Sequence, residues 1–319
     1  MTTTDRAAWG YGLTTIATNG TVLDTWFPSP KLGPLPAGVD QWIAPAEFED
    51  LVGVDERRGV EVTFRTVQID LDAPPASTED AYLRLHLLSH RLVAPNTIAL
   101  DGIFGHLPNI AWTTAGPMLP EVAATRRVLL QRAGISIVGV DKFPRLTDYV
   151  ILDRVRIADA SRVRLGAHLA PGTTVMHEGF VNFNAGTLGN AMVEGRSSQG
   201  VVVGNGSDIG GGASIMGTLS GGGTQRISIG ERALLGANSG IGISIGDDSV
   251  VEAGLYVTAG TKVILLDGTT DADGAPRTIK AVELSGVPGL LFRRNSITGA
   301  VEVLPRTGAG IVLNEALHA

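Results

Sequence analysis

The chain contains no cysteine among its 319 residues. This excludes disulfide bonds, thiolate metal sites and a cysteine nucleophile, and it is typical of a reducing compartment. No apolar run reaches the roughly 18 residues that a membrane helix needs, so no membrane span is expected. The start, MTTTDRAAWGYG, lacks a basic segment followed by an apolar one, so we expect no secretory signal and a cytoplasmic protein.

Aromatic residues and positive charge are also scarce. Aromatics make up 5% of the chain, whereas there are 42 glycines. This balance favours a fold with many tight turns and small interior side chains. The formal net charge of −7 excludes a general nucleic-acid binder, although it leaves room for a local basic patch that binds an anionic ligand.

One glycine pattern invites a nucleotide-binding interpretation. Gly204, Gly206 and Gly210 form GxGxxxG, one residue longer than the spacing of a dinucleotide-binding turn. That turn opens a helix, whereas the residues after Gly212, ASIMGTLSGGGTQ, are too rich in glycine and serine to begin one. We therefore expect most of these glycines to form corners of a scaffold.

A six-residue repeat runs through the middle of the chain. From Ile157 to Val263 the sequence divides into units such as IADASR, VRLGAH, LAPGTT and VMHEGF, with Ile, Leu or Val first and a small residue usually fifth. A helix or a plain strand would repeat every 3.6 or two residues. The period of six instead predicts short strands and turns that stack as coils. Extra residues around 199–203, 218–226 and 242–246 are expected to form loops.

The repeat resembles the hexapeptide-repeat family, whose fold is a left-handed parallel β-helix. The resemblance implies a mainly β protein with this helix over residues 151–263 in roughly six coils. Residues 1–150 are expected to form an α/β domain. Residues 264–319 are expected to form a small β segment that caps the helix and contributes to CoA binding.

The flanking segments carry their own patterns. Alternation around Asn19-Gly20 predicts a hairpin, and residues 61–71 predict a strand. Helical spacing is present over 80–93, with Ser77 or Thr78 as a cap, and over 121–134. After the repeat, 264–284 predicts two strands around a polar loop, and LLFRRNSITGAVEVL predicts a closing hairpin.

Longer segments point to one family. VMHEGFVNFNAGTLGNAMVEGR, GGGASIMGTLSGGG and LLFRRNS, together with TVLDTWFP and GVDKFPR nearer the start, resemble the tetrahydrodipicolinate N-succinyltransferases of the actinobacterial type. The resemblance implies transfer of succinyl from succinyl-CoA to the amine of ring-opened tetrahydrodipicolinate, a step towards diaminopimelate and lysine. It also implies a homotrimer with active sites between adjacent subunits.

The family's catalytic glutamate lies in the motif MVEGR, which here gives Glu194. Its carboxylate can attack the thioester to form an acyl-anhydride or take a proton from the attacking amine, and the sequence does not distinguish these roles. Two residues later, Arg196 is suited to a substrate carboxylate.

By the same resemblance, a larger set binds CoA through small backbone-exposing residues and basic side chains. The set is Arg196, Gly211, Ser214, Ala237, Glu252, Ala253, Gly260, Lys280, Arg293, Arg294, Asn295 and Ser296.

The family also carries two acidic positions associated with magnesium on the trimer axis. One matches Glu178, whereas the other falls on Ser161. Because a hydroxyl is a poorer ligand for a hard dication than a carboxylate, we expect magnesium to be structural at most.

Two alternative functions remain open. A related acetyl-CoA-dependent acyltransferase would use a histidine base, for which His168 and His177 are candidates. A non-catalytic trimeric scaffold would leave Glu194 and the basic residues without a shared purpose. His86 and His90 have a metal-compatible helical spacing, but without an evident third ligand they are interpreted as a half-buried face.

Overall fold

Residues 6–38 and 46–306 are described by a computed structural model, in which the chain divides into two units, Met1–Val150 and Ile151–Ala319. The protein is mainly β, with few helices. None of the helices in these ranges has the length and hydrophobicity of a membrane span.

In the described part of the first unit, residues 6–38 and 46–150, two antiparallel sheets are combined with three α-helices. One sheet has the order β2-β1-β5-β4, with β3 also paired to β1, and the other has the order β7-β6-β8. The strands are β1 Ala7–Ala17, β2 Val22–Trp26, β3 Lys31–Leu32, β4 Gly53–Asp55, β5 Val60–Asp70, β6 Ile110–Thr113, β7 Gly116–Met118 and β8 Ile137–Asp141. The helices are α1 Thr78–Ser89, α2 Ile103–His106 and α3 Pro120–Arg132, with 3-10 turns at Ala46–Leu51 and Leu146–Asp148.

The secondary structure predicted for this unit is confirmed. Strands β1 and β2 form the hairpin around Asn19-Gly20, and β5 is the strand expected over 61–71. Helix α1 begins after Ser77, whose hydroxyl accepts a hydrogen bond from the Asp80 N–H at 3.2 Å. It ends at Ser89, four residues before the predicted end.

The expectation of a half-buried histidine face is wrong for His86, which is fully buried. Its Nδ1 lies 2.8 Å from the Tyr82 carbonyl oxygen, which only accepts, so Nδ1 carries the proton. Nε2 then accepts the Phe27 N–H at 3.3 Å. Burial lowers the pKa of His86 to about 3, so the imidazole is neutral. The described ranges contain no group of three side chains that could hold a metal ion.

Over residues 151–306 the second unit is a stack of coils whose short strands pair in parallel in three sheets, and the third sheet continues into antiparallel strands of the C-terminal segment. The sheet orders are β10-β13-β16-β19, β12-β15-β18-β21-β23 and, in the third, β25-β24-β27-β26-β22-β20-β17-β14-β11-β9.

The coil strands are β9 Arg156–Ile157, β10 His168–Leu169, β11 Thr173–Val175, β12 Phe180–Val181, β13 Gly186–Thr187, β14 Ala191–Val193, β15 Arg196–Ser197, β16 Val202–Val203, β17 Ser207–Ile209, β18 Ser214–Ile215, β19 Ser228–Ile229, β20 Leu234–Leu235, β21 Gly240–Ile241, β22 Val250–Val251 and β23 Tyr256–Val257. They are followed by β24 Lys262–Leu265, β25 Thr278–Lys280, β26 Leu290–Arg294 and β27 Val301–Pro305, with 3-10 turns at Ala160–Arg162 and Ala281–Leu284.

The hexad pattern is confirmed as the origin of the coil interior. The first residues of equivalent hexads in successive coils stack in register: Val175 on Val193, and Val193 on Ile209. Each of these side chains is at most 1% exposed. An isolated strand–turn unit would leave them in water, so burial between neighbouring coils stabilises the stack.

Two of the three expected insertions are wrong. Gly186 pairs with Val202 and Gly240 with Tyr256, so these coils take 16 residues instead of the 18 of three hexads. In the first coil the two missing residues fall between Met192 and Arg196, because Thr174 pairs with Met192 and Phe180 with Arg196, and 199–203 belongs to a corner of ordinary length. In the second coil two residues are missing within 242–246. Residues 218–226 are a true insertion, because Thr218 and Arg226 close a small antiparallel loop. The glycines of GxGxxxG lie at coil corners, and no helix follows them.

The spacing between coils makes Gly186 intolerant of any side chain. A Cβ built there would lie 1.8 Å from the His168 carbonyl oxygen of the preceding coil. We expect Gly186→Ala to lower the free energy of unfolding by at least about 2 kcal/mol, because backbone must move to make room. Urea titrations followed by far-UV circular dichroism measure the loss. Gly260→Ala is the control, since a Cβ there meets nothing within 4 Å; equal losses in both variants would contradict the packing argument.

The strands predicted after the repeat are confirmed. Strands β24 and β25 pair antiparallel, as do β26 and β27. Strand β26 also pairs in parallel with β22, so the hairpin extends the third sheet of the stack. The capping role expected of 264–319 stays a prediction, and its last residues, 307–319, lie outside the described ranges.

Candidate active site

One corner of the stack lines up residues from successive coils. Each of these residues follows the last residue of a strand in the third sheet. Its backbone N–H donates to a backbone carbonyl of the next coil, at 2.8–2.9 Å: Glu194 to Ile209, Gly210 to Leu235 and Glu252 to Phe292. Gly236 continues the series, and Arg293 follows Phe292. Neighbouring coils lie about 4.8 Å apart, so four steps from Glu194 to Arg293 span about 19 Å. We call this series the corner column.

Glu194 begins the column with a half-buried side chain. Within residues 6–38 and 46–306 its carboxylate has no hydrogen bond or ion pair to another residue. The space beside it is kept open by Gly211, since a Cβ there would meet only the Glu194 Oε2, at 3.5 Å. The carboxylate is therefore available to a ligand.

Arg196 and Ser214 lie next to this corner, on the outer side of the second sheet. They are direct neighbours in β15 and β18, and Arg196 is exposed. Its guanidinium also has no partner in the described part of the chain. A carboxylate and a guanidinium two residues apart thus face solvent, without neutralising each other.

The residues predicted to bind CoA further along the chain lie on the coils that follow Glu194. Ala237 and Ala253 are exposed where their coils turn, and Gly260 is surrounded by open space. The Glu252 carboxylate, unlike that of Glu194, already has a partner, because its Oε2 accepts a hydrogen bond from the Arg294 backbone N–H at 2.6 Å. This bond ties the β26–β27 hairpin to the preceding coil.

The hairpin is organised by Glu302, a buried residue that the sequence analysis did not identify. Its Oε2 accepts from the Arg293 guanidinium at 2.9 Å, and its Oε1 accepts from the Asn295 amide at 2.7 Å. The Asn295 hydrogen bond, followed by Arg293, lowers the pKa of this carboxyl. Alternation along VEVL predicts the side on which Glu302 lies, but not which partners it meets.

The basic residues of the hairpin are therefore not equivalent. Arg293 is already neutralised by Glu302, whereas Arg294 points to the other side and donates to the Gly299 carbonyl at 2.9 Å. Ser296 and Lys280 are exposed. The structure brings Arg293 and Asn295 together and separates Arg294 from them.

The alternative histidines differ in position. His177 is exposed and lies in the same corner as Glu194, one coil earlier, since Met176 donates its N–H to the Val193 carbonyl. His168 belongs to the first sheet and is 9% exposed. Only His177 is placed to act near Glu194.

The two positions associated with magnesium offer a poor ligand set. Ser161 donates its hydroxyl to the Asp159 Oδ1 at 2.7 Å and its N–H to the same atom at 2.9 Å. These bonds lower the pKa of Asp159 and occupy the Ser161 hydroxyl proton. Of the two positions predicted to bind magnesium, Glu178 alone carries a carboxylate, so these two residues do not fit a magnesium site.

Family models match three parts of the chain. Residues 48–105 match the model described as tetrahydrodipicolinate N-succinyltransferase N-terminal, and 107–145 match the one described as its middle. Residues 226–259 match the hexapeptide repeat of succinyl-transferase. A Salinispora tropica 2,3,4,5-tetrahydropyridine-2,6-dicarboxylate N-succinyltransferase is 60% identical over 99% of both chains.

The chain belongs to the tetrahydrodipicolinate N-succinyltransferase family. A Pseudomonas aeruginosa member with the same name as the Salinispora protein is 59% identical, over 78% of this chain and 72% of its own. The crystal structure of a Campylobacter jejuni 2,3,4,5-tetrahydropyridine-2-carboxylate N-succinyltransferase superposes with a TM-score of 0.81 at 33% identity, covering 95% of this chain and 93% of that one. The family predicted from the sequence segments is thus confirmed.

Proposed function

We propose that the chain transfers succinyl from succinyl-CoA to the amine of ring-opened tetrahydrodipicolinate, 2-amino-6-oxopimelate, giving the N-succinyl product and CoA. The observation that carries this function is the corner column, with the Glu194 carboxylate, which has no partner among the described residues, at one end and a basic hairpin at the other. An extended acyl-CoA laid along it would place its thioester near Glu194 and its phosphates near the hairpin. Family membership supplies the substrate class.

The chemistry follows from these positions. The amine nitrogen forms a bond to the succinyl carbonyl carbon, the carbon–sulfur bond breaks, and the thiolate leaves as CoA. Glu194 either accepts the proton lost by nitrogen or first forms an anhydride that the amine then opens. Arg196 is adjacent and has no partner in residues 6–38 and 46–306, and its guanidinium is suited to bind a carboxylate of either substrate bidentately.

Thiol release tests this function directly. Because the chain has no cysteine, a thiol-reactive dye reports only CoA. We expect release from succinyl-CoA that depends on tetrahydrodipicolinate. Release with acetyl-CoA alone would keep the acyltransferase and change the donor, whereas no release with either donor would contradict an enzymatic function.

The open space at Gly211 gives a second test of where the thioester lies. Its backbone does not require glycine, and Gly211→Leu meets no backbone atom within 4 Å at Cβ. The fold should tolerate this change, whereas a ligand beside Glu194 should be displaced. We expect kcat/KM for succinyl-CoA to fall at least about 10-fold with little change in the thermal midpoint. Gly139→Leu, also in open space, is the control; unchanged kinetics in Gly211→Leu would place the thioester elsewhere.

The finer features implied by the resemblance belong to the same proposal. We infer a left-handed coil, a homotrimer and a cytoplasmic enzyme, as expected for a member of this family that uses a CoA thioester. Light scattering after gel filtration should give the mass of three chains. No catalytic step is assigned to magnesium, given the ligands at Glu178 and Ser161.

A further inference from the structure

The outer face of the C-terminal strands carries a lysine that the family resemblance did not name, Lys262. Ile264 and Glu302 are neighbours in the parallel strands β24 and β27. Lys262 lies two residues before Ile264, and alternate residues of a strand share a face. Lys262 therefore lies on the same face as Glu302, and the same register places it beside Ala300.

Lys262 lies between two residues that the resemblance assigns to CoA. On one side it is directly opposite Lys280 in the antiparallel pair of β24 and β25. On the other side, beyond Ala300, Asn295 donates its backbone N–H to the Ala300 carbonyl at 2.8 Å. An anionic group that contacts both Lys280 and Asn295 must pass over Lys262.

The charges of this face are unbalanced. Two ammonium groups directly opposite each other repel, and both lysines are exposed. Within residues 6–38 and 46–306 neither ammonium forms an ion pair. Glu283 accepts the Lys280 backbone N–H at 3.1 Å, and Glu302 is already bound to Arg293 and Asn295. Two positive charges are left without a counterion.

We propose that Lys262 and Lys280 together bind a phosphate group of CoA, which makes Lys262 a CoA-binding residue in its own right. A phosphate over the pair replaces repulsion by two charge-assisted hydrogen bonds. Because Arg293 is neutralised by Glu302, the lysines supply the net positive charge of this face. The inference rests on the proposed function, since it takes CoA as the ligand.

Isothermal titration of the full-length protein with CoA tests the assignment. We expect Lys262→Met and Lys280→Met each to raise the Kd for CoA about 10-fold or more. Lys31→Met is the matched control, because Lys31 is an exposed lysine of the first unit, and its Kd should equal that of the wild type. 3′-Dephospho-CoA is the second probe and identifies which phosphate the lysines contact. If Lys262→Met no longer raises the Kd for this probe, the contact is to the 3′-phosphate; if the Kd still rises, the contact is to the diphosphate.

Thermal melts separate binding from a structural role. Removing one ammonium relieves the repulsion, so Lys262→Met should not lower the thermal midpoint without CoA, while the upward shift caused by CoA should shrink. A lower midpoint with an undiminished shift, or a Kd equal to that of the wild type, would overturn the proposal for Lys262 alone. Wild-type protein that binds no CoA would remove the proposed function as well.

Discussion

Replacing Glu194 with glutamine should lower kcat by about 10²–10⁴, the range for losing a positioned acid–base group. The amide keeps the size of the side chain but can neither accept a proton nor attack a thioester. The carboxylate has no partner in the described part of the chain, so the thermal midpoint should stay close to that of the wild type. Substrate-dependent thiol release from succinyl-CoA and thermal melts measure the two quantities.

Glu231→Gln is the matched control, because Glu231 lies at a different corner and pairs with Arg232 at 2.8 Å. Its activity should equal that of the wild type. Full activity in Glu194→Gln would show that this carboxylate is not catalytic. The next candidate is then His177, one coil earlier in the same corner, and His177→Gln should be assayed alongside.

The same assay without the acceptor distinguishes the two roles of Glu194. An anhydride intermediate would release about one equivalent of CoA per active site in a burst before turnover, and Glu194→Gln would abolish it. A general base would give no burst, since the thioester then breaks only when the amine attacks.

The repeat could be predicted from the sequence because each hexad carries its own buried residue. Val175, Val193 and Ile209 fall on one buried line, and a local pattern is sufficient to place them. The shortened coils were misjudged because a missing pair of residues and an added pair both interrupt a period of six. Only the pairing of Gly186 with Val202 shows which has happened.

The site was predicted less completely, for a physical reason. Glu194 and Arg196 belong to one contiguous motif, so resemblance was sufficient to find them. Glu302 and Lys262 acquire their importance from partners on other strands, Arg293 and Lys280, and those contacts depend on register. No periodicity in the sequence reports that Arg293 is neutralised while its neighbour is not.

Acidification should weaken the first unit through His86. Its pKa is lowered to about 3 in the folded protein, against about 6.5 in an unfolded chain. Between these values the unfolded chain binds a proton that the folded protein does not, so stability falls as the pH drops. The loss is about 1.4 kcal/mol per pH unit, or about 2 kcal/mol from pH 6.5 to 5. Nε2 of the neutral imidazole accepts a hydrogen bond from the Phe27 N–H. Protonation of Nε2 would replace this bond with a contact between two N–H groups.

Tryptophan fluorescence measures this loss selectively, because the four tryptophans, at positions 9, 26, 42 and 112, all precede the second unit in the sequence. Urea titrations at pH 6.5 and 5 should show the decrease in the free energy of unfolding of the wild type. In His86→Gln this decrease should be smaller by about 2 kcal/mol, whatever the absolute stability of the variant. His177→Gln, a change in the second unit, is the control and should keep the wild-type slope. An equal slope in His86→Gln would show that the proton is taken up elsewhere, because the glutamine cannot titrate in this range.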